Sequence, residues 1–131
     1  MDKKYWDIIL ESAKLFPSSL GYESWKFLVI DNSEMREDLK LIGWGAVNSL
    51  EGANKFVVVL VRKNIVYNSN HVKHIAENVL GLSYYKDSPQ SQFLKKSQEK
   101  AFKLTDDNCL YNWSVKQTYI TLENMITTTS F

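Results

Sequence analysis

Apolar residues recur every three or four positions near the start of the chain, a pattern typical of an amphipathic helix. The spacing predicts a helix over residues 3–16, which Pro17 ends. A loop over residues 17–21 follows it. A second helix is predicted over residues 33–42, with Ser33 as its N-cap.

Two short apolar runs, rich in strand-forming residues, predict strands at Trp25–Ile30 and Phe56–Val61. The second run is apolar at every position, so we expect both of its faces to be covered. Residues 46–50 predict a short helix, and residues 71–80 and 90–102 have the spacing of two longer ones. A polar loop is expected between the second strand and these helices.

A long final helix is predicted to begin near Asn108, with Asp106 or Asp107 as its N-cap. One face of this helix is mostly apolar but carries two amides: Leu110, Trp113, Gln117, Ile120 and Asn124. The order of elements predicts one domain over residues 1–131 in which helices pack around a small mixed sheet, an α+β fold. Two strands cannot easily cover an apolar strand, so the sequence is expected to be incomplete for its own fold.

Composition excludes several classes of protein. The 131 residues are 44% hydrophobic and 24% charged, and the formal net charge of +1 gives no reason to expect binding to nucleic acid or to an anionic membrane. No apolar run approaches the roughly 20 residues of a membrane-spanning helix. Cys109 is the single cysteine, which suits a reducing cytoplasm, and we expect it to be buried as a small apolar residue.

Two segments, residues 8–61 and 112–129, resemble the nitroreductase family of flavin oxidoreductases. In that family a helix ends in a Pro-Ser-Ser loop, a Trp-x-Phe strand follows, and a later helix carries Leu-Arg-x-x-Leu. A strand then begins after a short turn, and a long helix reads Trp-x-x-x-Gln-x-Tyr-x-x-x-x-Asn-Met. The corresponding elements here are Pro17-Ser18-Ser19, Ser24-Trp25-Lys26-Phe27, Met35-Arg36-Glu37-Asp38-Leu39, Ala53-Asn54-Lys55 and Trp113 through Gln117, Tyr119, Asn124 and Met125.

The resemblance implies a homodimer with FMN at the subunit interface. It implies that NAD(P)H gives a hydride to the flavin, which then reduces a nitroaromatic or quinone-like acceptor. On this basis the cofactor-binding residues are Pro17, Ser18, Ser19 and Gly21, with the serines hydrogen-bonding the flavin and the glycine allowing a close approach. An ordinary helix-terminating turn is the alternative for this loop, and Trp25 is expected in the core.

The sequence also departs from the family pattern. We expect it to lack the N-terminal segment that grips the FMN phosphate and the C-terminal strands. Glu123 and Ser24 stand where the family commonly has glycine and proline, and Ser49 is too short for a flavin contact. These departures predict weak flavin binding and a marginally stable monomer. They keep open the alternative of a catalytically silent, truncated protein that acts only as a dimerising fragment.

Other signals are weaker. His71 and His74 have a spacing that can ligate a metal, but we predict two solvent-exposed histidines and no metal site. The lysines of residues 95–103 predict a solvated helix face or, alternatively, a weak anion-binding patch. Tyr84 and Tyr85 are expected to pack between helices, with stacking on a ligand ring as the alternative.

Overall fold

The computed structural model describes residues 1–130, except for the side chain of Ala46. Two strands and six α-helices follow one another along this part of the chain, and the α+β prediction is confirmed. Their bounds are α1 Lys3–Leu15, β1 Trp25–Val29, α2 Ser33–Ile42, α3 Val47–Leu50, β2 Val57–Val61, α4 Asn70–His74, α5 Pro89–Lys96 and α6 Asp107–Thr128. Short 3-10 turns lie at Ser19–Gly21 and Trp44–Ala46, and π-helical turns at Ile75–Val79 and Ser97–Ala101 extend α4 and α5.

The strands pair antiparallel, with Trp25 opposite Val61 and Val29 opposite Val57. Helix α6 packs against both strands and covers one face of the pair. On the other face Leu28 and Leu60 remain 44% and 43% exposed within the described chain. The prediction that both faces of the second strand are covered is therefore wrong for residues 1–130.

Helix α6 contributes to two hydrophobic clusters and so joins the two ends of the core. The smaller cluster packs Met125 against Ile9 and Ala13 of α1. The larger one surrounds Trp113 and consists of Tyr22, Ile65, Val72, Ala76, Tyr84, Leu104, Leu110 and Trp113. Trp25 is also buried, as predicted.

The buried face of α6 differs in detail from the stripe that the sequence predicts. Leu110, Trp113 and Gln117 are buried as expected, but Ile120 is 38% exposed. Small polar residues take its place, and the buried face includes Ser114, Thr118 and Thr121. Thr121 faces inward because its hydroxyl donates to the Ala13 carbonyl, and the Thr118 hydroxyl donates to the Ser114 carbonyl of its own helix. An apolar pattern does not reveal such contacts.

Helix ends give one confirmation and two corrections. Asp106 caps α6, since its Oδ1 accepts from the Cys109 N–H at 2.9 Å. The N-cap of α2 is Asn32 rather than Ser33: its Oδ1 accepts from the Met35 N–H at 2.9 Å, and Ser33 is the first helical residue. Cys109 is exposed, so the prediction of burial is wrong; it lies in the first turn of α6, on the outward side.

Candidate functional site

The loop between α1 and β1, residues 17–23, contains all four residues that the sequence assigns to a cofactor; we call it the serine loop. Its backbone is attached to α6 by one long-range hydrogen bond, in which the Ser19 N–H donates to Gln117 Oε1 at 2.9 Å. Gln117 is buried, so the bond is shielded from competing water. The structure thus brings together the two segments on which the family resemblance depends.

The chain on both sides of the serine loop is held by the same face of α6. Before the loop, Thr121 Oγ1 donates to the Ala13 carbonyl at 2.9 Å, and the Asn124 amide donates to the Ser12 carbonyl. After the loop, Ser24 Oγ donates to the Ser114 carbonyl at 3.3 Å. The α6 residues in these bonds and in the Gln117 bond are spaced three and four apart, which places them on one side of the helix: Ser114, Gln117, Thr121 and Asn124.

Three residues of the serine loop have left-handed backbone conformations. Leu20 has φ 61°, Gly21 has φ 63° and Glu23 has φ 47°. Glycine adopts this region freely, whereas each of the other two costs of order 1–2 kcal/mol. Such strain persists where the surrounding structure enforces it, and it occurs often at binding sites.

Gly21 is required for its backbone conformation rather than for lack of space. A Cβ atom built on it would meet no atom within 4 Å. A ligand could therefore approach this stretch of backbone closely.

The hydroxyls of Ser18 and Ser19 are available for a ligand. Both residues are half-buried, and no hydrogen bond to another residue in the range 1–130 uses either hydroxyl. Pro17 is exposed and ends α1. A half-buried pair of free hydroxyls on a fixed backbone can donate to, and accept from, the polar edge of a planar ring.

Three buried polar atoms near the end of the serine loop have no hydrogen-bond partner in the described part of the chain: Tyr22 Oη, Ser114 Oγ and Arg62 Nε. Burial raises the pKa of Tyr22, with smaller contributions from Tyr84 and Tyr67. The Tyr22 ring meets Trp113 edge to face, with centroids 5.7 Å apart. The phenol therefore stays protonated at neutral pH and remains a donor.

The two arginines have different environments. Arg36 is fixed by backbone carbonyls, with its Nε donating to Ile30 at 2.9 Å and its Nη1 donating to Ala53 at 2.7 Å. It clamps the start of α2 to the turn before β2. Arg62 follows β2 and is half-buried, and its backbone N–H donates to the Ser24 carbonyl at 2.8 Å.

His71 corrects one prediction and supplies a contact that sequence reasoning missed. Its Nε2 lies 2.8 Å from the Tyr22 carbonyl and 3.2 Å from the Glu23 carbonyl, so it is half-buried rather than solvent-exposed, and it holds the end of the serine loop. His74 is exposed as predicted. Among residues 1–130, no group of three or more His, Cys, Asp or Glu side chains is arranged to hold a metal ion.

The sequence also missed the part that Thr121 and Ser114 play in holding the serine loop. Gln117 and Asn124 could be found, because two amides on an otherwise apolar stripe require partners. Threonine gives no such signal, since its hydroxyl often bonds within its own helix, as that of Thr118 does with the Ser114 carbonyl. Ser114 acts through its backbone carbonyl, which its residue type does not indicate.

The principal clefts of the described surface lie away from the serine loop. Residues 17–21 line none of five clefts on this surface, which involve α1, α4, α5, the two ends of α6 and the segments around them. Within residues 1–130, no helix combines the length and the apolar character needed to cross a bilayer.

Comparison with known proteins supports the resemblance. No family model matches the chain. A Staphylococcus aureus protein named "Putative NAD(P)H nitroreductase" is 39% identical over 128 residues, which is 98% of this chain and 57% of that protein. Proteins with the same name from Staphylococcus saprophyticus and Staphylococcus haemolyticus are 42% and 41% identical, over 93% and 91% of this chain and 56% and 55% of their own lengths.

The chain therefore spans somewhat more than half the length of the curated relatives that it matches. Identity near 40% over nearly all of this chain is far above what unrelated sequences reach. These matches confirm the resemblance: along almost its whole length, the chain is homologous to proteins that carry the name "Putative NAD(P)H nitroreductase".

Proposed function

We propose that this chain is, or is part of, an FMN-dependent NAD(P)H oxidoreductase of nitroreductase type. FMN would accept a hydride from NAD(P)H and pass electrons to a nitroaromatic or quinone-like acceptor. The serine loop binds the flavin, with Pro17, Ser18, Ser19 and Gly21 as the contacting residues. The observation that carries this proposal is the Ser19–Gln117 hydrogen bond, which fixes a strained loop while no hydrogen bond to another described residue uses the hydroxyls of Ser18 and Ser19.

The residues present fit the ring edge and ribityl chain of FMN better than its phosphate. The free hydroxyls of Ser18 and Ser19 suit the carbonyl and ring-nitrogen edge of a flavin or its ribityl chain. The phosphate lacks an evident partner within the serine loop itself, because residues 17–23 contain no basic side chain, and Arg36 is committed to backbone carbonyls. We therefore expect this chain to bind FMN weakly, through its ring and ribityl groups.

The same proposal includes a cytoplasmic location and the self-association of the chain. Large apolar side chains are exposed in and after α2, including Leu41 at 85%, Ile42 at 79% and Trp44 at 96%. Apolar surface of this kind favours association with another polypeptide. A second copy of the chain is the partner that the proposal names, and size-exclusion chromatography at several concentrations tests it; a monomer at every concentration would refute this part.

The serine loop is tested by titrating FMN with the purified protein and following the quenching of flavin fluorescence. The double variant Ser18→Ala/Ser19→Ala should bind FMN about 5- to 150-fold more weakly, because two hydrogen bonds are lost and each is worth about 0.5–1.5 kcal/mol. Ser33→Ala is the matched control, since this serine is exposed and outside the serine loop. Equal FMN affinity in the double variant and the unmodified protein would refute the assignment of the loop.

Activity separates the proposed enzyme from the second candidate, a catalytically silent fragment that only dimerises. The uncovered face of the strand pair, with Leu28 and Leu60 exposed, is the observation that favours this second candidate. The protein is mixed with saturating FMN and NADH or NADPH, without oxygen, and the flavin absorbance at about 450 nm is followed. Bleaching faster than in free flavin supports the enzyme, whereas a dimer that binds no flavin supports the silent fragment.

A further inference from the structure

A cleft of about 370 Å³ lies between α4, α5 and the loop that runs from the π-helical turn after α4 to the start of α5. We call it the lysine cleft. This volume is within the roughly 300–1,000 Å³ of small-molecule sites. Its lining combines cationic and aromatic side chains: Tyr67, Asn68, Lys73, Tyr84, Tyr85, Lys86, Asp87, Ser91, Gln92 and Lys95.

The cationic groups of the lysine cleft are poorly neutralised. No ion pair in the described chain uses Lys86 or Lys95, and Lys73 makes one long contact of 3.9 Å with Glu77. Elsewhere lysines form closer pairs, such as that of Lys55 with Asp31 at 2.9 Å. The cleft therefore offers positive charge to an anionic ligand.

The one carboxylate that lines the lysine cleft does not cancel this charge. Asp87 Oδ1 accepts from Gln92 Nε2 at 3.0 Å, so it is turned toward α5 rather than toward a lysine. Lys95 lies over the Tyr67 ring, with its Nζ 5.9 Å from the ring centroid. Three lysines and one carboxylate leave a net positive lining, which suits a ligand with more than one negative charge.

The aromatic groups make the same cleft suited to a planar ring. Tyr84 is buried and donates to the Tyr67 carbonyl, which fixes the floor of the cleft. Burial raises the pKa of Tyr84, so its phenol remains a donor at neutral pH. Tyr85 is 62% exposed at the rim and is free to stack on a ligand ring.

We propose that the lysine cleft binds a nucleoside diphosphate, with the base packed on Tyr85 and the phosphates held by Lys73, Lys86 and Lys95. The lysines act as point charges toward phosphate oxygens, and the tyrosine supplies a stacking surface. This inference goes beyond the proposed function, since none of these residues belongs to the serine loop. It applies to the protein whether or not flavin is bound.

The test is isothermal titration calorimetry of the full chain, without added flavin, using ADP, inorganic pyrophosphate and adenosine as separate probes. ADP should bind at least tenfold more tightly than pyrophosphate or adenosine. The double variant Lys86→Ala/Lys95→Ala should weaken ADP at least tenfold. The control Lys96→Ala/Lys100→Ala removes the same charge from exposed positions outside the cleft and should change ADP affinity less than twofold.

The aromatic half of the proposal has its own variant. Tyr85→Ala should weaken ADP about fivefold or more and leave pyrophosphate binding unchanged, since base stacking is worth about 1–3 kcal/mol. The substituted side chains are exposed or half-buried, and circular dichroism checks that each variant folds. The proposal is overturned if ADP binds no more tightly than both other probes, or if the control lysines matter as much as those of the cleft.

Discussion

The serine loop and the lysine cleft are stabilised in different ways. The serine loop is held by α6, about a hundred positions further along the chain, through the Ser19–Gln117 bond and the buried Thr121–Ala13 bond just before the loop. The lysine cleft is built from residues 67–95, close together in sequence, and Lys86 and Lys95 on its lining form no ion pair with any residue of the described chain. A distant helix thus fixes the backbone that carries the serine hydroxyls before a ligand arrives, whereas the cleft must order long side chains during binding.

Both regions nevertheless share the Trp113 cluster, so truncating the Trp113 side chain should have the largest effect and should reach both regions. The ring of Trp113 meets Tyr22 at the end of the serine loop, and the same cluster includes Tyr84 on the floor of the lysine cleft. Trp113→Ala should lower the free energy of unfolding by about 3–5 kcal/mol, because it removes a large buried ring and leaves a cavity. Urea denaturation measures this loss, and FMN and ADP binding should weaken together.

Tyr119→Ala is the matched control for that variant. Tyr119 lies on the same helix but is 66% exposed, so its loss should change stability by less than about 0.5 kcal/mol. Similar losses for Trp113→Ala and Tyr119→Ala would show that the shared cluster does not support the fold.

A more selective change disturbs the serine loop alone. Thr121→Val keeps the shape of the side chain but leaves the buried Ala13 carbonyl without its donor, which should cost about 1–3 kcal/mol. FMN binding should weaken, whereas ADP binding should stay within twofold. Thr127→Val, at an exposed position of the same helix, should have little effect. A parallel loss of ADP affinity in Thr121→Val would contradict the independence of the two regions.

The elements around the serine loop could be predicted from the sequence better than the hydrogen bonds that hold the loop to α6. Pro17, the strands and the amides of α6 all follow from spacing and residue type, because periodicity reports which face of an element is buried. The contacts of hydroxyl groups such as that of Thr121 do not follow from spacing or residue type, since their partners are distant carbonyls. The lysine cleft is harder to predict from the sequence than the serine loop, because it forms where three separate segments meet. Its lysines also resemble those of any solvated surface.

A smaller effect is expected from the left-handed backbone of the serine loop. Gly21→Ala should cost about 1–2 kcal/mol, entirely from φ 63°, since the new Cβ would meet no atom within 4 Å. Gly45→Ala is the control, because that glycine also has open space but no positive φ. Urea denaturation compares the two, and an equal cost would argue against strain in the serine loop.

The smallest change at neutral pH comes from Tyr22, which lies between the serine loop and the shared cluster. Its buried hydroxyl has no partner in the described chain, so Tyr22→Phe should be neutral or slightly stabilising at about pH 7. Burial raises the pKa of Tyr22 above the value of about 10 in the unfolded chain. Its contribution to stability is therefore complete below about pH 10 and is lost as the pH rises further.

Tyr22→Phe should accordingly flatten the fall in stability above about pH 10, as measured by urea denaturation. Tyr84 also titrates with a raised pKa, so part of the fall should remain in this variant. Tyr5→Phe, at a position 62% exposed, should leave the pH dependence of the unmodified protein unchanged. If Tyr22→Phe instead destabilised the protein by more than about 1 kcal/mol at pH 7, the hydroxyl would have to be hydrogen-bonded in the folded protein.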